Sequence, residues 1–131
     1  MAPLSSAMDE LMIGVVMMDD EFDWAEDLDA GRYNVFVAYC SDLPQTNEWR
    51  EANRKAVVRE IYCGQVARPY FSVLREHLQR AKAGAQAVGC SGMVDYISWF
   101  EEEAMACGTW LVEESRSRLR AAARQRGNLK E

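Results

Sequence analysis

Two apolar stripes with helical spacing, joined by a glycine-flanked break, dominate residues 69–111. Each stripe repeats at alternating steps of three and four residues, which places its members on one face of a helix. Gly89 can end the first helix and Ser91 can cap the second, so the pattern predicts two antiparallel helices across a short turn. The first stripe consists of Phe71, Leu74, Leu78, Ala81, Ala85 and Val88, and the second of Met93, Ile97, Phe100, Ala104, Cys107 and Leu111.

The second of these helices is apolar on more than one face. Tyr96 and Trp99 lie outside the stripe that contains Ile97 and Phe100, and they widen it. A helix that is apolar over most of its circumference is normally the central one of a small bundle. The sequence therefore predicts an all-α protein, a compact helical bundle around a central hydrophobic helix at about residues 92–111.

The length of the chain, 131 residues, allows one core to form without a metal or a disulfide. No repeat or linker divides the sequence, so we expect a single helical domain over 1–131, with 1–5 and 127–131 disordered. The four cysteines show no CxxC spacing and lie in apolar runs, which favours buried free thiols in a reducing compartment. Three tryptophans are many for one small core, which leaves formation of a homodimer as an open possibility. They are Trp49, Trp99 and Trp110.

No apolar window of about 18 residues or more exists, and no basic region precedes the first apolar run. We therefore expect a soluble cytoplasmic protein without stable insertion into a membrane. Ser6 is a candidate cap before a helix over 11–18, although residues 8–18 also fit a buried strand, and residues 32–40 fit either a strand or a helix. Thr46 caps a predicted helix from about 47 to 63, and Pro69 opens the next one.

Charge is unevenly distributed along the chain. Residues 1–29 hold nine acids and no bases, whereas the remainder holds twelve acids and fifteen bases, a net charge of +3. This distribution is poorly suited to binding DNA phosphates, so we expect no nucleic-acid partner. After Leu111 we expect the helix to continue, or to restart at Thr109, into an arginine-rich end. The first interpretation is that this basic end complements the dipole at the C-terminus of the helix. The second interpretation is that it contacts the acidic residues 1–29 or RNA.

An acidic and aromatic segment occupies residues 19–29, where Phe22, Trp24 and Leu28 lie among seven acids. It fits a solvated loop whose Trp packs on the core, and it also fits a segment that docks on a partner. The docking interpretation gives an alternative function, that of an acidic helical inhibitor or adaptor that imitates nucleic acid or inserts these side chains into a partner. The position of Gly31 does not match a calcium-binding loop.

The single histidine, His77, restricts the chemistry that the chain can perform. Two-histidine metal sites are excluded. A Cys–His pair of His77 with Cys63 or Cys90, oriented by Asp95, is accompanied by no oxyanion loop, nucleophile elbow or phosphate-binding loop. We therefore expect no enzymatic activity, no cofactor and no metal.

The second stripe also resembles part of a known family. Residues 92–101, GMVDYISWFE, followed by 104–107, are similar to the BH1 region and the following central helix of the Bcl-2 family. Residues 9–13 with 22–24 resemble its BH4 helix, and 59–65 resemble its BH3 helix. Val94 and Asp95 stand where the family has Gly-Arg, and neither a BH2 segment nor a hydrophobic tail anchor follows. Such short members resemble viral homologues.

The resemblance implies an inhibitor of apoptosis that sequesters pro-apoptotic BH3-containing proteins in a hydrophobic surface groove. A BH3 helix presents apolar residues at i, i+3 or i+4, i+7 and i+11, and an aspartate that the family binds with the BH1 arginine. Arg75 is the expected substitute for that arginine, with Arg68 and Arg59 as alternatives. The expected groove residues are Phe71, Leu74, Arg75, Leu78, Val88, Met93, Tyr96, Ile97 and Phe100.

Overall fold

The computed structural model describes residues 2–40, 52–63 and 66–128. These residues form helices and no strand, which confirms the predicted all-α class. None of these helices combines the length and the hydropathy needed to cross a membrane. The helices are α1 (Ala2–Ala30), α2 (Val35–Cys40), α3 (Ala52–Cys63), α4 (Ala67–Ala87) and α5 (Ser91–Asn128).

Helix α1 is longer than the sequence suggested. The apolar run 11–18 is helical, and the acidic segment 19–29 continues the same helix instead of forming a loop. Because α1 begins at Ala2, residues 2–5 are not disordered, and Ser6 lies inside the helix and is not its cap. The face that α1 buries repeats at helical steps and contains Ala7, Leu11, Gly14, Met17, Glu21 and Leu28.

The side chain of Asn34 fixes the start of α2. Its amide nitrogen donates to the backbone oxygen of Asp20 at 2.8 Å and to Oδ2 of Asp27 at 2.9 Å, and its amide oxygen accepts the backbone N–H of Val37 at 3.0 Å. The Asp20 carboxylate accepts the N–H of Val35 at 2.6 Å. The bonds that Val35 and Val37 donate satisfy two of the N–H groups that the first turn of a helix leaves free. The helix alternative for residues 32–40 is therefore confirmed for 35–40.

Helix α4 occupies the centre of the bundle. It packs between α1 and α5 and is antiparallel to both. Against α1, the hydroxyl of Tyr70 donates to Met17, while Leu78, later in α4, lies against the earlier Gly14. Against α5, which follows α4 across a short turn, Phe71 near the start of α4 lies against Gly108. The side chains of Tyr70, Leu74, Leu78, Ala81 and Ala85 have no exposed surface.

The helix predicted at 92–111 is present within α5, but it is not the central one. Ile97 and Ala104 are fully buried, whereas Tyr96 is 48% exposed, Trp99 53% and Trp110 58%. Only one face of α5 is therefore covered. The breadth of the apolar surface in the sequence misled the prediction, because the aromatic residues outside the stripe face solvent.

The turn between α4 and α5 follows the predicted stop. Gly89 has φ 70°, its N–H donates to Gln86 at 3.1 Å, and the N–H of Cys90 donates to Ala85 at 3.0 Å, which together form a Schellman motif. The N–H of Val94 donates to the backbone oxygen of Cys90 at 3.1 Å. Cys90 is thus the N-cap residue of α5, and the prediction of Ser91 as the cap is wrong by one position.

Three other predicted boundaries have mixed outcomes. The end of α3 at Cys63 is confirmed, whereas α4 begins two residues before Pro69. Helix α5 continues through Gly108 without restarting, and it extends to Asn128, into the end that was expected to be disordered. The predicted cap at Thr46 lies outside the described residues.

We expect Gly108→Ala to lower the free energy of unfolding by about 1–3 kcal/mol, despite the higher helix propensity of Ala, because it overpacks the α4–α5 contact. A Cβ at this position would lie 2.8 Å from Cγ of Phe71, whose ring is buried. At Gly92, in the first turn of the same helix, a Cβ would meet no atom within 4 Å. Gly92→Ala is therefore the matched control, and urea unfolding measures both. A Gly108→Ala protein as stable as the Gly92→Ala protein would contradict this packing.

Candidate functional site

Four of the nine expected groove residues form the core of the fold. Leu74, Leu78 and Ile97 have no exposed surface, and Phe71 retains only 4%. A ligand helix could contact the first three only if the packed helices separated. Their helical spacing therefore reports burial between helices and not an open groove.

The remaining expected groove residues lie on different surfaces. Val88, in the turn after α4, and Tyr96, on α5, are exposed, whereas Met93 and Phe100 are half-buried. The ring of Tyr96 lies 6.0 Å from that of Trp99 and 6.3 Å from that of Phe100, measured between centroids. Tyr96 and Trp99 are thus exposed aromatic residues on α5, with the half-buried Phe100 beside Tyr96.

An open cleft does exist, further along the contact between α4 and α5. It consists of two adjoining hollows of about 500 and 230 Å³, which share Ala67, Arg68, Val112 and Arg116. We call it the α4–α5 cleft. Of the expected groove residues, Phe71 and Arg75 line it. Its other lining residues are Ser72, Met105, Gly108, Thr109, Glu113, Ser115 and Leu119.

The floor of this cleft continues the helical repeat of α5. Met105, Val112 and Leu119 are half-buried and lie seven residues apart, and the smaller Gly108 and Ser115 lie buried between them. The Ser115 hydroxyl donates to the Leu111 backbone oxygen at 2.8 Å, so this buried polar group is satisfied within the helix. The floor is therefore apolar, with depressions where the side chains are small.

Cations surround the cleft. Nε of Arg75 donates to Oε1 of Glu101 at 3.1 Å, which partly neutralises it. Arg68 and Arg116 have no acidic partner at ion-pair distance among the described residues. The N-terminal end of α4, whose N-cap Val66 supplies no side-chain bond, adds the positive end of a helix dipole. Glu113 is an acid on the rim, but the local charge favours an anionic ligand.

A second, smaller hollow of about 360 Å³ lies where α1, α3 and α5 meet. Glu21 lines it, although its side chain is only 8% exposed, and burial raises the pKa of this carboxyl to about 7. Phe22 is 80% exposed at its edge, whereas Leu28 is buried and Trp24 half-buried. Of the three apolar side chains in the acidic segment, Phe22 alone is thus presented to solvent. The hollow is also lined by Trp24, Tyr62, Cys107, Trp110 and Leu111.

Among the described side chains, His77 contacts the carboxylate of Glu10 and no thiol. Its Nδ1 lies 2.5 Å from Oε2 of Glu10 and 3.0 Å from Nη2 of Arg80, and the bond from His77 lowers the pKa of Glu10. Cys90 is a free, exposed thiol, contrary to the expected burial, while Cys40 and Cys107 are also free. Among the described residues no His, Cys, Asp and Glu side chains cluster as metal ligands.

Comparisons of the chain with protein-family models, with curated proteins and with solved structures find no match.

The sequence contains a signal for the cleft in the helical repeat of its floor. The repeat Met105, Gly108, Val112, Ser115 and Leu119 has the same alternation of three and four as the two stripes. Gly and Ser are not apolar markers, so the repeat is hidden from a search for large hydrophobic residues. It could have been found by allowing small residues at every second position.

We expect the stability of the protein to fall as pH rises from about 5 to about 8, because Glu21 must ionise inside the fold. Its folded pKa of about 7 lies above the ordinary value of 4.5. Its stabilising contribution is therefore complete below pH 4.5 and is lost as pH rises through 7, a change of about 3 kcal/mol.

Glu21→Gln should remove most of this pH dependence, since the amide does not titrate. Glu103→Gln is the matched control, because Glu103 is an exposed glutamate on α5. Urea unfolding of the three proteins across this pH range measures the difference. Parallel pH profiles for Glu21→Gln and the wild type would show that Glu21 is not held in a desolvated environment.

Proposed function

We propose that the protein acts without catalysis, by binding an amphipathic helix of a partner protein in the α4–α5 cleft. The observation that carries this proposal is the length and composition of the cleft floor. From Met105 to Leu119 the floor follows fifteen residues of α5, a rise of about 21 Å along the helix. A ligand helix that uses residues i to i+11 has its anchors spread over about 16 Å, which fits within that length.

The charge of the rim favours an acidic ligand helix. Arg68 and Arg116 lie on the two helices that bound the cleft, and neither has an acidic partner among the described residues. A carboxylate on the ligand could bind to either guanidinium. Arg59, which the sequence also allowed in this role, lies on α3 and lines a different surface.

Pro-apoptotic BH3 helices are the ligands that we propose, in keeping with the Bcl-2 resemblance of residues 92–107. They combine four apolar anchors with an aspartate, and the cleft offers an apolar floor with a basic rim. Burying four such side chains contributes about 1.5–3 kcal/mol each before the cost of association. Sequestration of the helix would then inhibit apoptosis. This proposal keeps the partner that the resemblance implies but moves its binding site from the expected groove to the α4–α5 cleft.

We expect Arg116→Glu to weaken the binding of a fluorescent BH3 peptide at least about tenfold, because it places like charges together. Arg59→Glu is the matched control, since Arg59 is also exposed and lies outside the cleft. The loss should disappear when the aspartate of the peptide is replaced by Ala, which identifies the paired charges. Absence of saturable binding by any BH3 peptide, or equal loss in the two variants, would refute the proposal.

A second candidate function has one observation in its favour, the exposure of Phe22 beside acids. In this alternative the protein is an inhibitor or adaptor that docks through α1, and Phe22 enters a hydrophobic pocket of a basic partner. Deleting residues 1–29 cannot test it, because α1 buries Leu11 and Met17 in the core. Phe22→Ser is the suitable variant. A partner lost by Phe22→Ser and kept by Arg116→Glu binds at α1, whereas the opposite pattern assigns it to the cleft.

A further inference from the structure

The C-terminal part of α5 extends beyond the helical bundle. Ser115 is its last buried residue, and residues 116–128 are exposed except for the half-buried Leu119. These thirteen residues correspond to about 20 Å of helix. They contain five arginines and no acid. A helix with so little covered surface is poorly stabilised by its own chain, because most helical stability in proteins comes from packing.

Three of these arginines form one ridge. Arg116, Arg120 and Arg124 follow each other at four-residue steps and lie on the same face of α5, with Ala123 beside them. None of the three pairs with an acid in the described part of the chain. Arg118, on another face, does have partners, since it binds Glu114 at 3.0 Å and lies 3.8 Å from the ring centroid of Tyr62. We call the three residues the arginine ridge.

Helix α1 carries a ridge of opposite charge with a matching repeat. Asp19 and Asp23 are four residues apart, Glu26 follows on the same face, and Phe22 lies beside them, all of them exposed. We call these four residues the acidic ridge. Asp19 and Asp23 form no ion pair among the described residues, although Asp23 interacts electrostatically with Arg32.

Several other acids of α1 form ion pairs with cations of the same chain. Glu10 bonds to His77 and Arg80, Asp27 to Arg32, and Asp29 to Arg54 at 2.8 Å. Glu26 of the acidic ridge also pairs with Arg32, at 3.7 Å. Asp19 and Asp23 form no ion pair within the described chain, and neither does Asp9 near the start of α1.

We propose that two copies of this chain associate, with the acidic ridge of each lying along the arginine ridge of the other. Both ridges repeat about every 6 Å, so side-by-side helices can pair the charges in register. No ion pair joins the two ridges within the described chain, which leaves both ridges open to the complementary ridge of a second copy. Phe22 would lie over the small Ala123, which removes an exposed aromatic ring from water.

Each copy carries both ridges, so a two-fold arrangement forms the contact twice and closes the assembly as a dimer. Exposed ion pairs are individually weak and are screened by salt. The dimer is therefore concentration-dependent and salt-sensitive. Arg116 belongs to both the arginine ridge and the α4–α5 cleft, so the test leaves it unchanged. The charges that the test reverses, at Asp19, Asp23, Arg120 and Arg124, do not line the cleft, so loss of the dimer and loss of ligand binding are measured separately.

Sedimentation equilibrium of the full chain at low and high salt tests the proposal. At low salt the mass should be twice that of the 14.9 kDa chain, and at high salt it should be that of one chain. Asp19→Arg with Asp23→Arg should abolish the dimer, and so should Arg120→Glu with Arg124→Glu. Circular dichroism verifies that each variant is folded, which we expect because all four side chains are exposed.

Restoration distinguishes specific pairing from a general effect of charge. An equimolar mixture of the two variants should dimerise. In the mixed dimer the ridge made basic in one variant faces the ridge made acidic in the other, and the two unchanged ridges also face each other with opposite charges. A single chain that carries all four substitutions should also dimerise with itself. A wild-type monomer at low salt, reversals that leave the dimer intact, or failure of both the mixture and the fourfold variant to associate would overturn the proposal.

Discussion

The burial of one stripe of α4 between two neighbouring helices is the constraint on which the structure depends. Leu74, Leu78 and Ala81 have no exposed surface because α1 covers them from one side and α5 from the other. Each neighbour approaches α4 through a glycine. Gly14 of α1 lies against Leu78 and Gly108 of α5 against Phe71, where a Cβ would lie 2.7 and 2.8 Å from the nearest side-chain atom. The two glycines therefore set how closely the three helices pack.

This arrangement also determines which surfaces are available for binding. Because α4 takes the centre, both α1 and α5 keep an outer face in solvent, and these faces carry Phe22, Trp99 and Trp110. Helix α5 is 38 residues long and α4 only 21, and the two are antiparallel. The C-terminal part of α5 consequently first forms the α4–α5 cleft beside the start of α4 and then extends beyond it. The proposed site and the arginine ridge both result from this difference in length.

The sequence predicted the helices well, but it did not predict which of their apolar residues are exposed. The stripe from Phe71 to Ala85 is apolar with helical spacing, and that pattern reports burial, but it does not distinguish a core from the floor of a groove. Tyr96 and Trp99 widen the apolar surface of α5 in the sequence and yet face solvent, because hydrophobicity does not report exposure. Local spacing does not determine the start of α2, because Asn34 bonds to residues seven and fourteen positions away. The cleft was missed because Gly108 and Ser115 carry no hydrophobic signal.

Native-state hydrogen exchange of the backbone amides tests the central position of α4 most directly, because the slowest amides report the part of a fold that opens only on global unfolding. We predict that the slowest exchange lies in α4, at residues 74–85, with the amides of 92–104 in α5 exchanging faster through the exposed side of that helix. Slowest exchange at 92–104, with α4 opening independently at lower free energy, would contradict the account and return α5 to the centre of the bundle.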